Sequence, residues 1–283
     1  MRTYALTKLS QLSMVFICAL SLNTGVYAAD NVMGKMINLA GKQRMLTQKM
    51  SKEALLVAKG IDTAANQANL KKTAHLFDKT LKGLKNGDAD LGLVKTENAD
   101  IIKQLDQVAA LWANFKPLID EIAGGNAKAE VLAKIAAGNV PLLKAMNKAV
   151  KMYEKSAGST LSAEMATAIN LAGKQRMLTQ KMTKELLLVA NNIAVEENKA
   201  NLAKTTALFS KTLTGLVKGD ANLGLVGTKS ADILAQLAIV EKLWAEYKEV
   251  LAKVDTSTEG LQKAANINLP LLKEMNKAVG MYK

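Results

Sequence analysis

The sequence predicts an all-α protein made of two tandem antiparallel four-helix bundles that arose by internal duplication. Three observations carry that expectation. Hydrophobic residues are 49% of the 283 positions, yet aromatics are only 4% and prolines number three, a composition of Ala, Leu, Met and Val that favours helix over strand. The segment INLAGKQRMLTQKMSKEALLVA at 37–58 returns at 169–190 as INLAGKQRMLTQKMTKELLLVA, with 20 of 22 residues identical at an offset of 132. No sustained period-two alternation supports β structure.

Residues 1–28 read as a secretory signal peptide. Arg2 and Lys8 precede an apolar run of about nine residues from Met14 to Leu22, far short of the ~20 that span a bilayer, and Val26 and Ala28 fit cleavage after Ala28. Processing would remove Cys18, the single cysteine, and leave a thiol-free chain suited to an oxidising periplasm. No later apolar run is long enough for a transmembrane anchor in the mature chain.

Two bundles follow, at 29–156 and 157–283. In the first, helix one is expected over 31–59, with Met36, Leu39, Leu46, Met50 and Val57 as an apolar stripe. Helix two is expected over 64–85, stopped by the turn Asn86-Gly87-Asp88, and helix three over 97–122, ending near Gly124-Gly125. Helix four is expected over 127–154, with Pro141 either kinking it or marking a break near Gly138-Asn139. Short connections favour up-down-up-down bundles, which lie side by side with parallel first helices or stack end to end through helix four; the sequence allows both.

The net charge of +13 comes from lysines spread along helices, with few stacking aromatics, so a solvated basic surface is expected and nucleic acid is not. One His and one Cys exclude a Cys/His zinc site and leave almost nothing from which to build a Cys-His or Ser-His catalytic pair. No enzyme, metal or cofactor is expected. Lone His75 has Ala207 as its counterpart; Met45, Met50, Met177 and Met182 read as core filling; Asp88, Asp90 and Asp220 as turn formers; Trp112 and Trp244 as core anchors.

The repeated helix carries the one unusual pattern. At 100° per residue, Arg44 lines up with Ala40, Gly41, Thr47, Gln48 and Ser51, well away from the Leu39–Leu46–Met50 stripe. The second copy presents Ala172, Gly173, Arg176, Thr179, Gln180 and Thr183. Small and polar residues around a guanidinium suit close approach of a second helix better than a bundle core. Taken alone, the arginine has three readings: solvated or paired with an acid, packed at an interface, or binding an anion.

NLAGKQRMLTQKM resembles the signature of PilJ-type domains, found at the N-terminus of type IV pilus methyl-accepting transducers. It is similar also to the P-box helix of NarX-type nitrate/nitrite sensors. The resemblance covers nearly all of residues 29–283, and it implies periplasmic four-helix sensory bundles. By position it implies Gly41, Arg44, Gly173 and Arg176 as ligands to one small anion, nitrate or nitrite first, with Ala40, Thr47, Gln48, Ala172, Thr179 and Gln180 adjacent. Tandem duplication lets one chain supply both halves of such a site if the bundles lie side by side. Because the sequence ends at Lys283, just after the eighth helix, a membrane-bound receptor or kinase partner is the expected recipient of a signal. The rival expectation is a ligand-free module that docks on a pilus, chemoreceptor or envelope protein. Identity in the repeated helix exceeds that of residues 64–116, where 31 of 53 positions match their partners, which fits either a shared site or recent exchange between copies.

Overall fold

The computed structural model describes the backbone of residues 22–159 and 161–282 and the side chains of 32–158 and 161–282. Eight α-helices dominate these residues: α1 Leu22–Ala58, α2 Thr63–Asn86, α3 Ala99–Ala123 and α4 Ala129–Ser156, then α5 Ala163–Ala190, α6 Val195–Lys218, α7 Ala231–Ala252 and α8 Thr258–Met281. The all-α expectation stands. The signal-peptide expectation falls mostly on residues 1–21, outside the described residues; Ala28 lies within α1.

Local chemistry sets several helix starts. Asn98 accepts from the backbone N–H groups of Asp100 and Ile101 at the head of α3, and Ser162, Ser230 and Ser257 each cap α5, α7 and α8 through a hydroxyl. Gly87 and Gly219 end α2 and α6 with φ of 85° and 93°, a region that favours glycine. After Gly87 the chain forms a small antiparallel ladder, β1 Gly87–Asp88 with β2 Leu93–Lys95, where the sequence predicted a turn without strand. Asp88 Oδ1 accepts from Leu91 N, and Asp220 Oδ1 from Asn222 N and Leu223 N, so both aspartates are turn formers as expected. Pro141 does not break the fourth helix; α4 runs through it, as α8 runs through Pro270.

Each bundle packs around an aromatic pair, Phe77 with Trp112 at 4.5 Å and Phe209 with Trp244 at 4.3 Å between centroids. Met45, Met50, Met177 and Met182 are buried, and His75 is exposed. Of the expected stripe, Met36, Leu46, Met50 and Val57 are buried while Leu39 is half-buried.

The two bundles lie side by side, and α1 packs most extensively against α5. The helices run parallel. Arg44 reaches Asn170 and Arg176 reaches Asn38, while Lys59 Nζ donates to Ala190 O, so contacts advance together along both chains. This is the arrangement that brings the two copies of the motif to one pseudo-twofold axis.

Candidate functional site

Ala40 and Ala172 are fully buried where α1 crosses α5, and Gly41 and Gly173 face the side chains of Arg44 and Arg176. The guanidinium groups of Arg44 and Arg176 fill this crossing, each only 1% exposed. Arg44 Nη1 donates to Asn147 Oδ1 of α4 at 2.9 Å, and Nη2 crosses to Asn170 O of α5 at 3.0 Å. Arg176 repeats the pattern with Asn276 Oδ1 of α8 at 2.9 Å and Asn38 O of α1 at 3.0 Å. Each arginine is therefore held by its own bundle's last helix and by the other bundle's first.

The glycines are shared. A Cβ added at Gly41 would stand 3.3 Å from Arg44 Nη2 and 3.7 Å from Arg176 Nη2, so these two nitrogens are at most 7.0 Å apart. The mirror distances at Gly173 are 3.4 and 3.7 Å. Among the described residues neither arginine forms an ion pair, and the buried Nε of each has no hydrogen-bond acceptor. The solvated and acid-paired readings of Arg44 and Arg176 are thus both overturned by their burial and partners.

Charge here is concentrated and poorly compensated. Burial pulls Arg44 down to about 10, opposed by Glu154, whose carboxylate accepts from Asn170 Nδ2 at 2.6 Å. Burial and then the neighbouring Arg44 pull Arg176 down to about 9. Lys42 is lowered by burial and Arg176, and Lys174 by burial, Arg44 and Lys151. An unpaired buried cation is costly, and here several share one level of the interface.

Thr47, Gln48, Thr179 and Gln180 lie a turn further along and serve a second polar layer. Gln48 Nε2 and Lys184 Nζ both donate to Asn139 Oδ1, at 2.9 and 3.0 Å. Gln180 Nε2 and Lys52 Nζ do the same to Asn268 Oδ1, at 2.7 and 3.0 Å. Each lysine thus crosses to the other bundle. The asparagine of each fourth helix returns a bond to Thr47 O or Thr179 O. Burial, the leading cause, lowers Lys52 and Lys184 to about 8 against the raising effect of Glu53 and Glu185.

The sequence reading missed Asn147 and Asn276, Lys52 and Lys184, and Asn139 and Asn268. The repeated MNKAV segments carry the first pair in both copies, which was the available signal. Asn139 and Asn268 each stand two residues before the repeated Pro-Leu-Leu-Lys.

The family model described as "Type IV pili methyl-accepting chemotaxis transducer N-term" (PilJ) matches the chain twice, over residues 28–137 and 159–268. The chain belongs to the PilJ family. It is 26% identical over 153 residues to the methyl-accepting chemotaxis protein McpN of Pseudomonas aeruginosa, a match covering 54% of this chain and 28% of that protein. It is 24% identical over 237 residues to the putative methyl-accepting chemotaxis AlkN of Alcanivorax borkumensis, covering 81% of this chain and 31% of that protein. The chain thus spans under a third of the curated relatives it matches, and those relatives are chemotaxis proteins. The first matched segment begins within α1 and the second just before α5, and each contains one copy of the Gly-x-x-Arg motif. No helix among the described residues is long and apolar enough to cross a membrane.

Proposed function

We propose that this tandem PilJ chain is a non-enzymatic, exported sensory protein that clamps one small oxyanion, nitrate or nitrite first, between α1 and α5. Residues 1–28 serve as the signal peptide and the periplasm as the site of action, with a membrane-bound receptor or kinase receiving the signal. The observation that carries this reading is the pair of buried guanidiniums sharing a cradle of two glycines without a carboxylate.

A planar oxyanion there would turn mutual repulsion into charge-assisted contacts with both arginines. Guanidinium presents five N–H donors, and the unpartnered Nε–H beside Nη2 leaves one edge of each group able to engage two oxygens. Because the site lies on the pseudo-twofold axis, one chain takes one anion. Each Nη1 also holds Asn147 or Asn276, six residues past Pro141 or Pro270, so drawing the arginines together pulls on α4 and α8. That gives the anion a differential grip on two arrangements of the last helices.

The test is calorimetric titration of the protein with nitrate and nitrite at low chloride, beside an Arg44→Met/Arg176→Met variant. Saturable binding at one anion per chain, lost in the variant, is expected. No heat and no thermal shift up to millimolar anion would remove the reading and leave a docking module as the better account.

A further inference from the structure

A second feature separates the two bundles. Between α6 and α7 runs a groove of about 770 Å³, within the roughly 300–1,000 Å³ range of small-molecule sites. Leu202, Leu251 and Val254 form its apolar base, and Lys199, Lys211 and Lys248 stand along it. The first bundle supplies an internal comparison, because it descends from the same unit. Where it has Lys71, His75, Asp78, Lys82 and Asp120, the second has Ala203, Ala207, Ser210, Thr214 and Ala252. All five changes replace a charged or imidazole side chain by a small one, which opens this face at those positions.

The changes also free a cation. In the first bundle Asp120 pairs with Lys116 at 2.5 Å, and Asp78 with Lys82 at 2.7 Å. Lys248 is the counterpart of Lys116, and with Ala252 in place of the acid it has no ion pair among the described residues. Lys211 is shared with Asp220 at 3.7 Å and Lys199 with Glu196 at 2.8 Å. Two carboxylates and two lysines, Lys71 and Lys82, have been replaced on this face, while Lys199 stands where the first bundle has Gln67. The lysine at 248 is kept without its acid, so the groove combines an apolar base with an unpaired positive head site at Lys248.

We propose that the α6–α7 groove binds an amphipathic organic anion, an apolar chain carrying one carboxylate, with the chain over Leu202, Ala207 and Leu251 and the head at Lys248. This site is independent of the arginine pair. Trp244 Nε1 donates to Ser210 Oγ at 3.2 Å in the groove wall, which makes it a reporter.

The experiment uses the Trp112→Phe protein, leaving Trp244 as its one tryptophan, titrated with decanoate below its micelle-forming concentration and followed by fluorescence and calorimetry. Saturable binding unaffected by saturating nitrate is expected. Ser210→Asp/Ala252→Asp restores two residues that the first bundle already accommodates, and it should weaken decanoate about tenfold while the thermal transition stays in place. Lys248→Met should weaken decanoate but not decanol. Absence of saturation, equal affinity in the acid-restored variant, or decanol binding as tightly as decanoate would each overturn the proposal.

Discussion

Replacing Arg44 and Arg176 by methionine separates a ligand clamp from a structural rivet. The two Nη2 atoms are no more than 7.0 Å apart, the sum of the 3.3 and 3.7 Å separations from a Cβ at Gly41. Like charges at that distance repel by about 2 kcal/mol at an effective dielectric of about 20. Burial adds to the cost, and against it stand four hydrogen bonds, two to asparagine side chains and two to backbone carbonyls. Methionine conserves most of the volume, so without anion the double variant should lie within about 2 kcal/mol of the parent. A double-mutant cycle should return an unfavourable coupling of roughly 2 kcal/mol between the arginines, which turns favourable in nitrate. Anion at a hundredfold its dissociation constant stabilises the parent by about 2.7 kcal/mol, or about 5–10 °C for a protein of this size. Differential scanning fluorimetry across a nitrate series with matched chloride reads both quantities. A loss above about 4 kcal/mol without anion would show that the arginines hold the bundles together. A nitrate shift retained in the variant would place the anion elsewhere. Either result refutes the clamp.

Gly41→Ala/Gly173→Ala gives the complementary result. The new methyls replace helix-interior glycine, worth up to about 1 kcal/mol each, yet crowd both Nη2 atoms, so melting temperature should hold or rise while nitrate affinity falls at least about tenfold by calorimetry. Lys52 and Lys184 titrate near 8 in the fold against 10.5 unfolded, so between these values the unfolded chain binds more protons and stability rises with pH. Denaturant midpoints should therefore climb from pH 7.5 to 10, by on the order of 3 kcal/mol per lysine over the full window, and Lys52→Met/Lys184→Met should flatten that rise. Val254, at φ 47°, holds a β-branched side chain in left-handed backbone where the same position of the first bundle's loop is Gly125 at φ 100°; Val254→Gly should stabilise by about 1 kcal/mol in urea unfolding.

The helices and the duplication were legible because they are one-dimensional signals. Periodicity placed α2 within a residue at each end, and the small-polar strip around Arg44 foretold a second helix packed against it. The choice between side-by-side and end-to-end bundles was not legible, since it depends on which surface covers that strip. The partners of the arginines were equally hidden. Asn147 lies 103 residues from Arg44, and Asn170 offers a backbone carbonyl, which no side-chain pattern reports. The β1–β2 ladder escaped because it is closed by turn geometry after Gly87 rather than by strand-like residues. Of the two readings of Pro141 the break is overturned, since α4 continues through it, with Asn139 two residues before it bonded to Thr47 O of α1 and to Gln48 and Lys184.

The near-identity of the two copies along α1 and α5 looks at first like the mark of a shared ligand, and the packing shows why it is not. A bundle helix ordinarily keeps one face in water, where substitutions cost little. Here α1 is covered by α2 and α4 on its own side and by α5 on the other, and residues 50–57 are buried without interruption. No residue of 37–58 is fully exposed, so few positions are neutral and most changes must fit two neighbours at once. The outer helices kept their water-facing sides and diverged, as at the five positions that differ along the α6–α7 groove. Packing therefore accounts for 20 of 22 matches without any anion. It does not account for two buried guanidiniums set against each other with no acid between them, because a leucine or methionine would fill the same space without the repulsion. The case for an oxyanion accordingly rests on poorly compensated charge at Arg44 and Arg176, and it is the charge, not the identity, that the methionine variants remove.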